Sequence, residues 1–452
     1  MIKNFEHTAH FNAGIEGIKG MAVVSLPGAY VPQAAELERT NMGAFVIERV
    51  LAAITSKAGT SSEKVEDDAE NLKFAGADYP DALANMEQLF LERRWSDGFP
   101  LVAPTRRAVD AMLEATDLKP DECLGLMEPA RRLATVEKLA INAVMAGCLP
   151  LYFPVILAAV RALIDPRFDL RGVQSTAGMV CPLFIISGPK LIDELNVNDS
   201  YSTIGPGWKA NSSIGRALRL ILTNIGGAWP GRTDMKSFGS PYRFGILFAE
   251  NDAVYGDDWE PLRVTQGFSR DEPTISVMPA VGWSPDFITA DRVNLDVVVK
   301  VLVDQGRMKY DRKGHFWGKD NLILLSWSTF RAIRNSGISR AELQQKLFEQ
   351  IQIPAREFYD DKEAYSEAPG ALEIPLDVVE RARKNPDSLI PLLAAPQNIK
   401  IVAAGGPGPA MVAFISTWGA GPAYFVTKPI PLPGSWPTLV EKYRGGRTAV
   451  VR

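Results

Sequence analysis

Histidine and cysteine are scarce in this chain, with three of each among 452 residues. Cys123, Cys148 and Cys181 lie far apart and form no CxxC pair, which excludes a disulfide framework and a cysteine-built zinc site. His7 and His10, in "HTAH", have only a weak metal-binding spacing. A histidine-based hydrolytic triad has one base to draw on, His315 in "RKGHFWG", and no GxSxG elbow exists to go with it. No metal and no cofactor is expected.

Long apolar runs are missing as well. No stretch approaches the roughly 18 apolar residues that span a bilayer. The opening "MIKNFEHTAHFNAGIEGIKGMAVV" has no hydrophobic segment ending in a small-residue cleavage site. No membrane segment or leader is expected, and the cytoplasm is the expected compartment. Nor is there an excess of basic residues: the net charge is −4 and no stripe of Lys and Arg occurs, which argues against nucleic acid as a partner.

What is present is a globular balance of 46% hydrophobic and 23% charged residues, on a chain too long for one compact core. The polar stretch "TSSEKVEDDAENLKFAGADYPD" reads as a solvated linker. Three segments are expected: a helical N-terminal extension over 1–85, an α/β core over 86–270 and a C-terminal α/β domain over 271–452. Helical patterns occupy "GAFVIERVLAAITSKAG", "DALANMEQLFLERRW", "TRRAVDAMLEATD", "ATVEKLAINAVMAGC" and "PVILAAVRALID". Short apolar runs, "CPLFIISG", "RFGILFAE", "TISVMPA", "NLILLSW" and "NIKIVAA", then alternate with helical "RVNLDVVVKVLVDQ", "SRAELQQKLFEQI" and "LDVVERARK". That alternation predicts an α/β fold with a mixed or mostly parallel sheet and flanking helices. No internal repeat is legible. The strands empty into glycine, proline or polar turns, and in open α/β sheets ligands sit beyond the carboxyl ends of strands.

Three stretches carry candidate chemistry. In "GPGWKANSSIGRALRLILTNIG" a helix is expected to start at Asn211, Ser212 or Ser213 and to bury Ile214, Ala217, Leu218, Ile221 and Leu222. Its unpaired first-turn amides, its dipole and Lys209 together suit a carboxylate or phosphate; the spacing is not that of a P-loop. In "ATVEKLAINAVMAGC", Glu137 and Lys138 are candidate acid and base, Asn142 lies beside them, and Cys148 is reactive only if its pKa is lowered. In "FGILFAENDAVYG", a buried-type strand delivers Glu250, Asn251 and Asp252 to the sheet edge, as a general base or hard-cation ligands. Each has a plain alternative: a capped helix, surface charges, a polar turn. A fourth stretch, "IKIVAAGGPGPAMVAFISTWG", reads as strand, glycine turn and helix, a substrate-shaping loop without GxGxxG.

Taken together, "DGFPLVAPTRRAVDAML", "ATVEKLAINAVMAGC", "GVQSTAG", "GPGWKANSSIGRALRLILTNIGGAWPG" and "FAENDA" resemble the large domain of the UGSC-motif proteins. There it accompanies a small thioredoxin-like unit carrying selenocysteine or cysteine in U/C-G-S-C. The resemblance spans about residues 90–265. It implies that Glu137, Lys138, Asn142, Cys148, Gln174, Asn211, Arg216, Glu250 and Asn251 match patterned positions of the family. This chain has no CGSC, so the thiol unit is either a separate subunit or dispensable here.

The expectation is a cytoplasmic enzyme acting by lyase- or hydrolase-type acid/base chemistry on a small anionic, carboxylate-bearing molecule. Lys209, Arg216 and the helix N-terminus would hold the anion, Glu250 or Glu137 would move the proton, and Asn142, Asn211 and Asn251 would orient it. The alternative is a subunit of a thiol-redox complex that pairs with a separate thioredoxin-like CGSC protein. Self-association into a homo-oligomer is expected in either case.

Overall fold

The computed structural model describes residues 44–55, 71–236, 238–289, 292–309, 319–358, 384–418 and 423–444, with a few isolated positions besides. His7, His10, His315 and most of the "LDVVERARK" helix lie outside the described residues.

The first described helices are α1 (Ala44–Thr55) and α2 (Tyr79–Glu92). Asp78 caps α2 by accepting from the Asp81 amide. Thr105 does the same for α3 (Arg106–Leu113). An antiparallel pair, β1 (Cys123–Met127) and β2 (Arg132–Thr135), leads into α4 (Val136–Met145), capped by Thr135 as its sequence predicts. The helix α5 (Phe153–Leu163), apolar except for Arg161, is buried along nearly its whole length. Beyond it come α6 (Leu170–Ser175), β3 (Cys181–Ser187), α7 (Pro189–Leu195), α8 (Lys209–Asn224), β4 (Leu247–Ala249), β5 (Thr274–Ala280) and β6 (Ser284–Ile288). The later elements are α9 (Leu295–Lys309), β7 (Asn321–Leu325), α10 (Trp327–Asn335), α11 (Arg340–Gln350), a small antiparallel pair β8 (Gln352–Pro354) and β9 (Leu389–Pro391), β10 (Ile399–Ala403), β11 (Ala410–Ile415), β12 (Val426–Pro429) and α12 (Trp436–Arg444).

Two four-stranded mixed sheets flanked by helices make this an α/β fold. The first has the order β4-β3-β5-β12 and the second β10-β7-β11-β6. In each, the first two strands are parallel and the next two pairings are antiparallel. The helices correspond too: α5 lies on β5 and β12 as α9 lies on β11 and β6, and α8 and α11 pack beside those helices and against β4 and β10. The connectivity therefore occurs twice, with its fourth strand exchanged. After β5 the chain crosses into the second sheet as β6; after β11 it crosses into the first as β12.

The crossing point has the geometry of a local twofold axis. β3–β5 places Val277 opposite Phe184, and β7–β11 places Phe414 opposite Ile323. Three residues on from each, Ala280 bridges Thr417 antiparallel. The Val281 N–H donates to the Ser416 carbonyl and the Trp418 N–H to the Pro279 carbonyl, both at 2.9 Å. These bonds are images of each other under the same correspondence.

Two expectations change. The segment after Gly408 is strand β11, not a helix: "AMVAFI" is a short apolar run buried between β7 and β6, a length strands favour over helices. The boundary expected near 270 falls between β4 and β5, which belong to one sheet through β3.

A cationic cavity as the candidate functional site

Helix α8 begins at Lys209, earlier than its polar residues predict. Trp208 is the N-cap and supplies no side-chain cap bond. Asn211 instead braces the preceding loop, accepting from the Asn198 amide (2.8 Å) and donating to the carbonyls of Asn198 (3.1 Å) and Thr203 (3.3 Å). The Ser213 hydroxyl donates to the Lys209 carbonyl at 2.6 Å. The apolar face of α8, from Ala210 through Ile214 and Leu218 to Ile221, is buried as its period requires.

The opposite face is Ser212, Arg216, Arg219 and Thr223, at helical spacing, and it lines a cavity of about 1020 Å³. The facing wall is the loop that leads into β4, from Phe238 to Leu247. Helix and loop meet backbone to backbone at Gly215 and Gly245, where a Cβ on either would overlap the other's carbonyl group. Gly245 also holds φ +82°, a left-handed value that favours glycine.

Charge in and behind this cavity is unbalanced. Arg216 makes a two-pronged pair with Asp97, both bonds 2.8 Å, and donates to the Phe99 carbonyl at 3.1 Å. Asp234, 3% exposed, sits between Arg243 (2.5 Å) and Lys236 (3.3 Å). The Lys236 ammonium is further held by the carbonyls of Val173 and Gln174, and burial lowers its pKa. Arg219 is the remaining cation. It donates to the Ala228 carbonyl at 3.1 Å, and no carboxylate among the described residues hydrogen-bonds to it. Desolvation, aided by the Arg243 guanidinium, lowers its pKa to about 10. Arg219, Lys236 and Arg243 thus face one buried carboxylate. A desolvated cation left without a counter-charge is unfavourable, and an arriving anion relieves it.

The other expected residues are dispersed. Lys209 is exposed at the first position of α8 and is not among the residues lining the cavity. Lys138 is exposed, while Glu137 accepts from the Arg106 guanidinium at 2.5 Å. Cys148 lies behind α8, its Sγ–H donating to the Ser213 carbonyl at 3.2 Å; burial pushes its thiol up to about 12, which keeps it protonated at neutral pH. Asn142 donates to the Lys138 carbonyl (2.9 Å) and accepts from Asn224 (2.8 Å), tying α4 to α8. Gln174 is 2% exposed, and its amide nitrogen has no partner among the described residues.

Glu250 and Asn251 join the two sheets. The Glu250 carboxylate accepts from the hydroxyls of Ser187 (2.5 Å) and Tyr255 (2.6 Å) and from the Leu262 amide (2.7 Å). Burial and the neighbouring Asp252 raise its pKa. The Tyr255 hydroxyl in turn accepts from the Ala403 amide on β10, and the Asn251 side chain donates to the Gly405 carbonyl at 3.1 Å. Asp252 is paired with Arg263 (2.8 and 2.6 Å).

Of the expected site residues, the structure brings Asn211 and Arg216 to the cavity. It adds Asp97, Arg219 and Arg243, with Asp234 behind them. Arg219 had a signal in the sequence: it lies three residues after Arg216 on the polar side of an otherwise apolar helix. Asp234 and Arg243 had none, since their meeting depends on a loop with no periodicity. Among the described residues, no group of three or more His, Cys, Asp or Glu is placed to hold a metal ion, and no helix is long and apolar enough to cross a membrane.

Fold and cavity define the class: an α/β protein of two strand-exchanged mixed sheets with a cavity lined by cationic side chains on one of them. No protein-family model matches the chain, and no curated protein is significantly similar to it.

Proposed function

We propose that the cavity beside α8 binds a small carboxylate-bearing molecule and that the chain is a cytoplasmic enzyme acting on it by acid/base chemistry of the lyase or hydrolase kind. The observation that carries this reading is Arg219, a cation desolvated against the cavity and without a carboxylate partner. A guanidinium offers a carboxylate two parallel charge-assisted hydrogen bonds. Asp97 is the carboxylate on the cavity wall, and Arg216 fixes its orientation. In this reading Asp97 takes the proton-moving role because it lines the cavity, whereas Glu137 and Glu250 do not.

The test is isothermal titration with sodium carboxylates against their amides. Arg219→Met is expected to weaken carboxylate binding at least about tenfold, the worth of one charge-assisted bond. Unchanged affinity sinks the anion role. Once a substrate is found, Asp97→Asn should lower turnover about 100-fold or more, as loss of a general base does.

A second reading has one observation behind it. Phe238, 93% exposed beside the cavity, is suited to a docked protein, such as a separate thioredoxin-like CGSC subunit. Co-purification of such a subunit, abolished by Phe238→Ser, would favour it.

A further inference from the structure

A carboxylate alone does not account for the cavity. Its volume, about 1020 Å³, lies at the upper end of the roughly 300–1,000 Å³ that encloses drug-sized ligands. Its rim is aromatic: Phe99, Phe238 and Phe244 line it while remaining 52%, 93% and 70% exposed. Phe99 comes from the loop after α2 and Phe244 from the loop before β4, and their rings meet edge to face at 6.1 Å. Trp229, Ile246 and Leu247 continue the apolar lining. Three phenylalanines left in water at one cavity are unfavourable by about 25 cal/mol per Å² of apolar surface, and a ligand that covers them recovers it.

The charge count narrows the ligand further. Arg216 is neutralised by Asp97, and Arg243 shares Asp234 with Lys236. Arg219 alone on the wall lacks an anionic partner among the described residues. A polyanion such as a sugar bisphosphate would find one cation to meet several charges. A wholly apolar ligand would leave Arg219 desolvated and uncompensated.

We infer that the ligand is an amphipathic monocarboxylate, with its charge on Arg219 and an aryl or medium-length alkyl body against Phe99, Phe244 and Trp229. This deepens the proposed function and rests on its reading of Arg219 as the anion clamp.

The experiment is a calorimetric titration of the full chain with sodium acetate, butanoate, hexanoate, octanoate and 3-phenylpropanoate, with octanamide as the uncharged-head control and hexylamine as the cationic one. Affinity should rise about fourfold per added methylene, the equivalent of about 0.8 kcal/mol. Neither hexylamine nor octanamide should bind comparably. Arg219→Met should weaken every acid by a similar factor, whereas Phe99→Ser with Phe244→Ser should flatten the series toward acetate. Phe244→Leu, which keeps an apolar side chain, should preserve the slope and guards against a folding defect.

The failures separate. A flat series in which acetate binding still depends on Arg219 overturns the amphipathic inference and leaves the anion reading standing. A steep series shared by octanamide and insensitive to Arg219→Met overturns the anion reading, and this inference with it. A steep series untouched by the phenylalanine substitutions places the body elsewhere and overturns the inference alone.

Discussion

The two sheets share one connectivity and differ in what surrounds them. In the first, α8 starts at an N-cap with no side-chain bond and turns two arginines toward a cavity. In the second, the corresponding α11 starts at a full capping box, Ser339 with Glu342. Its first arginine, Arg340, is absorbed by the carbonyls of Ile401 and Glu260 and stacks 5.2 Å over Trp259. Tyr255, Trp259 and Phe330 pack edge to face there, with ring centroids 4.8 and 4.9 Å apart, as part of a closed core. Where Glu250 follows β4, Ala404 follows β10: the Glu250 amide donates to the Ile186 carbonyl as the Ala404 amide donates to that of Leu325. One half caps its helix and encloses its arginine in carbonyls and aromatic rings; the other leaves the cap out and sets its arginines at a cavity. Such lapses concentrate at functional sites.

The largest way to break this comparison is at Glu250. Its removal leaves the Ser187 and Tyr255 hydroxyls and the Leu262 amide without their acceptor, so Glu250→Ala should destabilise by about 3–5 kcal/mol in urea denaturation. Ala404→Gly should lose about 1 kcal/mol. Equal losses would erase the asymmetry. The carboxyl also has a pH signature. Its raised pKa means the folded chain binds the proton more tightly than the unfolded chain, whose carboxyl titrates near 4.3. Glu250's contribution is therefore fully present below about pH 4.3 and declines as pH rises through the raised value. Glu250→Gln should remove that part of the pH dependence of unfolding.

The next test sets Arg219 against Arg340. Arg340→Met loses two carbonyl bonds and an aromatic stack and should destabilise by about 2 kcal/mol. Arg219→Met removes a desolvated charge that faces Arg243, so stability should hold or rise by up to about 1 kcal/mol while carboxylate binding falls. A destabilised Arg219→Met protein would make this arginine a structural element like its counterpart.

The smallest effects are at the helix starts. Ser339→Ala should cost about 1 kcal/mol, whereas Trp208→Asp should gain up to about 1 kcal/mol by supplying the cap that α8 lacks. The two shifts, read as denaturation midpoints, should have opposite signs.

Much of the fold was legible. Thr105, Thr135 and Ser339 announce their helices because a cap acts on amides two or three residues away. "CPLFIIS", "TISVMPA" and "NLILL" become β3, β5 and β7 because short apolar runs suit strands buried on both faces. "AMVAFI" misleads since a glycine turn followed by apolar residues suits a helix as well as a strand until its neighbours are known. The duplication stayed hidden for a related reason: buried strands keep hydrophobicity rather than identity, and exchange of β6 and β12 breaks each unit's order along the chain. At the site, Arg216 and Asn211 were within reach through the α8 loop. Asp97 lies 119 positions from its partner in sequence, a pairing no local pattern encodes.

The sequence by itself determined the local vocabulary of this protein: which segments wind, which extend, and that α8 carries one apolar and one basic side. These follow from periodicity and capping, whose physics reaches no further than a turn or two. Tertiary structure alone decided that the basic side borders a cavity, that Asp97 and Asp234 neutralise two of its arginines and leave Arg219 bare, and that Glu250 is consumed in joining the sheets. Those outcomes depend on distances between segments remote in sequence, and on the water removed when they meet, which is what turns a charged side chain into an unmet demand for a partner.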